Sequence, residues 1–200
     1  MSTQASPAAK KLPKAKRRDQ LLQTALAIVR AEGTDTLALG LLAERAGVSK
    51  PIAYEHFGSR SGLLIALYKQ FNERQVALTL EALERAPRTL EDVARVLSNA
   101  YMNCYSSAGP ECHAISAALR GTEEMDSFQQ ELMNEYAAIY LKALLPCTNT
   151  SRQDLRIYCV AIIGAAESIA REMLAGRITE KKAAATLRLF IIRCLSPVSG

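Results

Sequence analysis

Leu42-Ala43-Glu44-Arg45-Ala46-Gly47-Val48-Ser49-Lys50-Pro51-Ile52-Ala53-Tyr54 is the stretch from which the fold can be worked out. It reads as two short helices joined by a tight turn. Ala43 is small enough to let the helices approach, and Gly47 supplies a left-handed conformation that a side chain resists. Leu42, Ala46, Val48 and Ala53 form an apolar joint. Ser49 can cap the second helix, and Pro51 is tolerated in its first turn, where a missing N–H has no intrahelical partner. Propped on that joint, the second helix turns its first residues outward, the arrangement of a helix-turn-helix.

Working outward, the periodicity stays helical nearly everywhere. Leu21, Leu22, Ala25, Ile28 and Val29 share one face of a preceding helix that Gly33 ends. A long helix is predicted from Ser61 towards Ala86, closed by Pro87. Thr89 with Asp92 opens the next, which Ala108-Gly109-Pro110 breaks. A short helix near Cys112–Arg120 stops at Gly121, and another runs from Glu124 to Leu145 before Pro146. Ser151 with Asp154 opens a long apolar helix to Ala175, ended by Gly176, and Thr179 caps the last, which reaches Pro197. About nine helices and no convincing alternating run give an all-α chain. Residues 1–15 are expected to be a disordered basic arm, 16–75 a DNA-binding domain with its helix-turn-helix at about 38–57, and 76–200 a second, helical domain.

Charge placement agrees. The chain carries a formal net charge of +5, and residues 1–60 hold ten positive and five negative side chains, so the whole excess lies in that segment. Lys10, Lys11, Lys14, Lys16, Arg17 and Arg18 form a tight run, which suits a polyanionic partner. Apolar residues make up 49% and charged residues 22%, an ordinary balance for a globular protein. No apolar run is long enough to span a membrane and no secretory signal is evident, so the expected compartment is the cytoplasm. The five cysteines show no CxxC spacing, which argues against a disulfide framework or a structural zinc site.

Leu21-Leu22 to Ala25, the Gly33 stop, Leu42 to Lys50, then Tyr54-Glu55-His56-Phe57-Gly58-Ser59-Arg60 and Leu63-Leu64 resemble the N-terminal domain of tetracycline-repressor (TetR) family regulators. The resemblance covers roughly residues 17–68. It implies a DNA operator as partner, with Ser49, Lys50, Pro51 and Ile52 at the start of the recognition helix. There a cation reaches guanine edges or phosphate, and apolar groups pack on thymine methyls. It also implies that Tyr54, His56 and Arg60 hold backbone phosphates, contacts that fix register without reading sequence. Phe57 is the core residue locking that helix. Two positions depart from the family: Ala38 stands where a capping Ser or Thr is usual, and Gly40 where some members carry a base-reading arginine.

The resemblance further implies a homodimer on a palindrome, most often a repressor, released by a small-molecule effector. Leu155, Cys159, Ile162, Ile163 and Ala166 stripe one C-terminal helix, and Leu187, Phe190 and Ile191 the other; these are the expected dimerisation residues. Among the soft and aromatic residues of the middle helices, Tyr101, Tyr105, Phe128 and Tyr136 are the expected effector contacts. No cofactor, metal site or catalytic group is expected. Two alternatives stand beside this reading: a DNA-binding protein without an effector, and a metal or redox sensor built on Cys104, Cys112 and His113.

Overall fold

The computed structural model describes residues 12–119 and 123–196, so most of the expected arm and the Gly121 and Pro197 stops lie outside the described residues. The chain divides into two units, residues 1–67 and 68–200, with the boundary earlier than the expected one at residue 75. Both boundaries fall inside one uninterrupted helix, which offers no sequence break to mark the division.

In the N-terminal unit, α1 (Lys14–Glu32) buries Leu21, Leu22, Ala25, Ile28 and Val29 on one stripe, the spacing its sequence dictates. α2 (Leu39–Arg45) buries Leu39, Leu42 and Ala43, and α3 (Lys50–Phe57) buries Ala53 and Phe57. The turn between them is closed by Val48 N–H donating to the Ala43 carbonyl at 2.9 Å and Gly47 N–H to the Glu44 carbonyl at 3.1 Å. Gly47 sits at φ +66°, where a Cβ would meet its own backbone. α4 (Arg60–Arg85) begins after Gly58, and its Leu63, Leu64, Ala66 and Leu67 complete the core of the unit.

The C-terminal unit continues along α4 and adds α5 (Leu90–Ser107), α6 (Pro110–Leu119), α7 (Glu123–Leu144), a 3₁₀ turn (Leu145–Cys147), α8 (Arg152–Leu174) and α9 (Glu180–Leu195). Among the described residues there are nine α-helices and no strand, the all-α architecture expected. Three starts are capped as their sequences foretell: the hydroxyls of Thr89, Ser151 and Thr179 accept from the N–H groups of Asp92, Asp154 and Lys182. Such a cap is worth about 1 kcal/mol. α5 packs against α8 and α9, and α7 against α8. Leu97, Met102, Tyr140, Leu155, Cys159, Ile162, Ile163, Ala166, Leu187 and Ile191 all belong to the core this produces.

That packing corrects the dimerisation assignment. Leu155, Cys159, Ile162, Ile163, Ala166, Leu187 and Ile191 are buried within the chain itself, so their surfaces are already covered and none can meet a second copy. Of the eight expected residues only Phe190 is exposed. A helical stripe identifies which residues share a face but not what covers it, and here the covering partner is intramolecular. The apolar side chains that face outward on these two helices are Ile157, Tyr158, Val160 and Leu174 on α8 and Leu189 and Phe190 on α9.

Candidate functional site

The first turn of α3 is presented as its sequence predicts. Ser49, Lys50, Pro51 and Tyr54 are exposed, Tyr54 at 54%, while Ala53 and Phe57 point into the core. Ile52 and His56 are half-buried at the flanks of that face. Ser49 occupies the capping position, but its side chain makes no capping hydrogen bond. The expected cap is therefore corrected; the first turn relies on Ser49's carbonyl, which accepts from Ile52 N–H at 3.0 Å. The Lys50 stem lies beside Gly40 of α2, with its Cε 3.6 Å from where a Cβ on that glycine would stand.

Three α1 side chains and the first residue of α4 tie this arrangement together. The Arg18 guanidinium donates to the His56 carbonyl at 3.0 Å and stands 5.0 Å from the centre of the Phe57 ring. It thus satisfies a C-terminal carbonyl of α3 and adds a cation–π contact. Gln20 donates to the Ala46 carbonyl at 3.3 Å, and Lys14 pairs with Glu55 at 3.3 Å on the exposed surface. Arg60 donates through Nε to the Leu37 carbonyl at 2.9 Å and through a terminal nitrogen to the Thr34 carbonyl at 2.7 Å. The planar fork of the guanidinium thus holds the α1–α2 connection, a positioning role beside the phosphate contact expected of it. Sequence reasoning missed the positioning roles of Arg18 and Gln20. The Arg17-Arg18 pair read only as charge, because a carbonyl acceptor carries no mark in sequence.

The start of α4 is unusually close to the end of α3. Ser59 Oγ accepts from Gly62 N–H at 3.0 Å, and Ser59 N–H donates to the Phe57 carbonyl at 2.7 Å. A Cβ at Gly62 would stand 2.1 Å from that same carbonyl oxygen, so only glycine fits. Desolvation by burial lowers the His56 imidazole below its ordinary pKa, the Glu55 carboxylate opposing and the Lys14, Arg18 and Arg17 cations reinforcing the shift.

In the C-terminal unit the four expected effector contacts fall in a shared aromatic region. Tyr101 and Tyr105 rings lie 5.4 Å apart, Tyr101 and Tyr136 6.4 Å apart, and Phe128 meets Tyr68 edge-on at 5.7 Å. Tyr136 donates its hydroxyl to Asn72 Oδ1 at 2.7 Å. Asn72 was not legible as a partner, although its place one turn after Tyr68 on an otherwise apolar helix face is a usable signal. Burial pushes the Tyr68, Tyr101, Tyr105, Tyr136 and Tyr140 phenols up, so all stay protonated. A separate cavity of about 410 Å³ lies between the start of α5, the 3₁₀ turn and the end of α9, away from the phenols.

Cys104 and Cys112 lie close enough to influence each other electrostatically, but His113 does not complete the set. Cys112 is buried while His113 beside it faces solvent, as successive helical positions must diverge. Burial raises the Cys104 thiol to about 11 and the Cys112 thiol in the same direction, away from the thiolate that metal binding or oxidation requires. Among the described residues no three His, Cys, Asp or Glu side chains are grouped to hold a metal ion.

Residues 21–67 match the family model described as bacterial regulatory proteins, tetR family. The match is to the N-terminal domain of that family and covers α2, α3 and parts of α1 and α4. A curated relative, the HTH-type transcriptional activator FasR of Mycolicibacterium smegmatis, is 35% identical over 82 residues, 41% of this chain. That alignment spans 36% of FasR's own length. Among solved structures, two share the fold of nearly the whole chain. A TetR-like transcriptional regulator from Rhodococcus sp. RHA1 is 21% identical, with TM-score 0.60 over 92% of this chain and 98% of that one. The fatty acid degradation regulator FadR from Bacillus halodurans is 16% identical, with TM-score 0.66 over 96% and 99%.

Proposed function

We propose that this chain is a transcription regulator that binds a palindromic DNA operator as a homodimer and releases it when a small molecule enters the C-terminal unit. The observation that carries the reading is the outward first turn of α3. Ser49, Lys50, Pro51 and Tyr54 are exposed above a buried Ala53–Phe57 anchor, in a TetR-family domain. A rigid helix with its N-terminal residues free is what a major groove admits. Lys50 reads guanine or holds phosphate, Pro51 and Ile52 pack on thymine methyls, and Tyr54 and His56 hold the backbone.

The dimer is assigned to the outward face of α8 and α9. Ile157, Val160, Leu189 and Phe190 form an exposed apolar surface, and Gly164 on the same side allows close approach. The phenol-rich region around Tyr101, Tyr105, Phe128 and Tyr136 receives the effector. α4 carries Arg60 in one unit and Asn72 in the other along one helix, a covalent route for coupling. Repression follows where the operator overlaps a promoter; FasR's name describes an activator, and the DNA-reading head serves either outcome. No helix among the described residues is long and apolar enough to cross a membrane, and we assign the protein to the cytoplasm, where its operator is.

Selection of bound sequences from a random duplex pool tests the reading. A palindrome with half-sites about one helical turn apart or slightly more is expected. Recovery of scattered sequences without symmetry would overturn it.

A further inference from the structure

We infer that the effector is a neutral, planar aromatic molecule carrying a hydrogen-bond-accepting oxygen, held between the phenols of α5 and α7. The inference rests on the effector role proposed above and narrows it to a ligand class.

Two hydroxyls direct the choice. Ser98 lies on α5 three residues before Tyr101, and Tyr140 on α7 four residues after Tyr136, spacings that put each on the helix face of its neighbouring phenol. Ser98 is 0% exposed and Tyr140 2%. Among the described residues neither Ser98 Oγ nor the Tyr140 hydroxyl has a hydrogen-bond partner. A buried hydroxyl left unpaired is costly, and an acceptor oxygen brought by a ligand satisfies it. Both groups can donate, because burial keeps the Tyr140 phenol protonated. Tyr136 is already engaged with Asn72 Oδ1, which orients the Asn72 amide and leaves its NH₂ as a further donor.

The surroundings select against charge. Lys69 stands 5.1 Å from the centre of the Phe128 ring and pairs with Glu131 at 3.5 Å. Glu167, whose charge is felt at Tyr101 and Tyr105, pairs with Arg171 at 3.3 Å. Lys69 and Glu167 thus each have a counter-ion of their own. A carboxylate or ammonium entering here loses its hydration and gains no opposite charge. The tilted and edge-on rings of Tyr101, Tyr105 and Tyr136 instead favour an aromatic face or edge.

The test uses the full chain and four naphthalenes of matched shape: 2-acetylnaphthalene, 2-ethylnaphthalene, 2-naphthoate and 2-naphthylmethylammonium. Binding is measured by calorimetry, and operator occupancy is followed in the same samples. The ketone is expected to bind about tenfold or more tightly than each of the others, and to lose about fivefold or more on Ser98→Ala or Tyr140→Phe. Without ligand, each variant should melt at or above the wild-type temperature, since it removes an unpaired buried hydroxyl. Tighter binding of the carboxylate or the ammonium overturns the inference, as does binding by none of the four. So does a ketone advantage that survives both variants, or a lower melting temperature in either. If operator binding persists while the ketone fails, the ligand class is wrong and the regulator reading stands. If the ligand-free protein binds no selected operator, the regulator reading fails and takes this inference with it.

Discussion

Gly62→Ala should weaken both the N-terminal unit and its grip on DNA, against the usual preference of helices for alanine. In an exposed helix interior the exchange stabilises by about 1 kcal/mol. Here the new Cβ would stand 2.1 Å from the Phe57 carbonyl oxygen and 3.3 Å from its carbon. An ordinary carbon–oxygen contact is about 3.3 Å, so helix start and carbonyl must separate by about 1 Å. That carbonyl is held by Ser59 N–H at 2.7 Å, and the Phe57 side chain is buried under Arg18. Overpacking costs about 1–3 kcal/mol and the strained hydrogen bond about 1 kcal/mol more. Net of propensity, the loss should be about 1–3 kcal/mol. With a urea slope of about 1 kcal/mol per molar for so small a unit, the midpoint should fall by about 1 M or more. Displacement at the end of α3 should also lower affinity for the selected operator by about tenfold, read by fluorescence anisotropy. A variant with an unchanged or raised urea midpoint and operator affinity within about twofold of wild type would refute the close-approach argument.

Arg60→Lys should destabilise the N-terminal unit by about 1–2 kcal/mol through loss of the fork on the Thr34 and Leu37 carbonyls, yet leave the salt dependence of operator binding unchanged. A slope shallower by about one would place Arg60 on the phosphate backbone as well. Ile157→Glu, at a residue 65% exposed on α8, should shift sedimentation from dimer to monomer without lowering the melting temperature of the monomer. A stable dimer in that variant would place the interface elsewhere. For His56 the sign follows from a folded pKa below the unfolded 6.5: as pH falls through the window beneath 6.5, the unfolded chain takes up the proton first and stability declines. His56→Gln should flatten that portion of the stability–pH curve, and an unaltered curve would remove the histidine from the account.

Much of this was legible in the residues because it is local. The hydroxyl caps at Thr89, Ser151 and Thr179 each depend on a partner three residues away, and the Gly47 turn on its own dihedral preference. The outward set Ser49, Lys50, Pro51 and Tyr54 follows from helical periodicity once Ala53 and Phe57 are anchored. What escaped depends on distant chain. Arg60 and Arg18 find carbonyls 23 to 38 positions away. The α8 and α9 stripes are apolar whether α5 or a second subunit covers them, so only packing could assign Ile162 and Ile191 to the interior. Gly62 is an ordinary helical glycine until the Phe57 carbonyl is placed against it.

The division of labour within α3 has a consequence for how such a head can change. Ala53 and Phe57 secure the helix, whereas Ser49, Lys50, Pro51 and Tyr54 have little burial at stake. Substitutions at the outer positions can redirect the protein to new operators while leaving the architecture beneath almost untouched. Address and scaffold are separable here, so a library confined to those four residues should yield altered DNA preferences from a head that still folds.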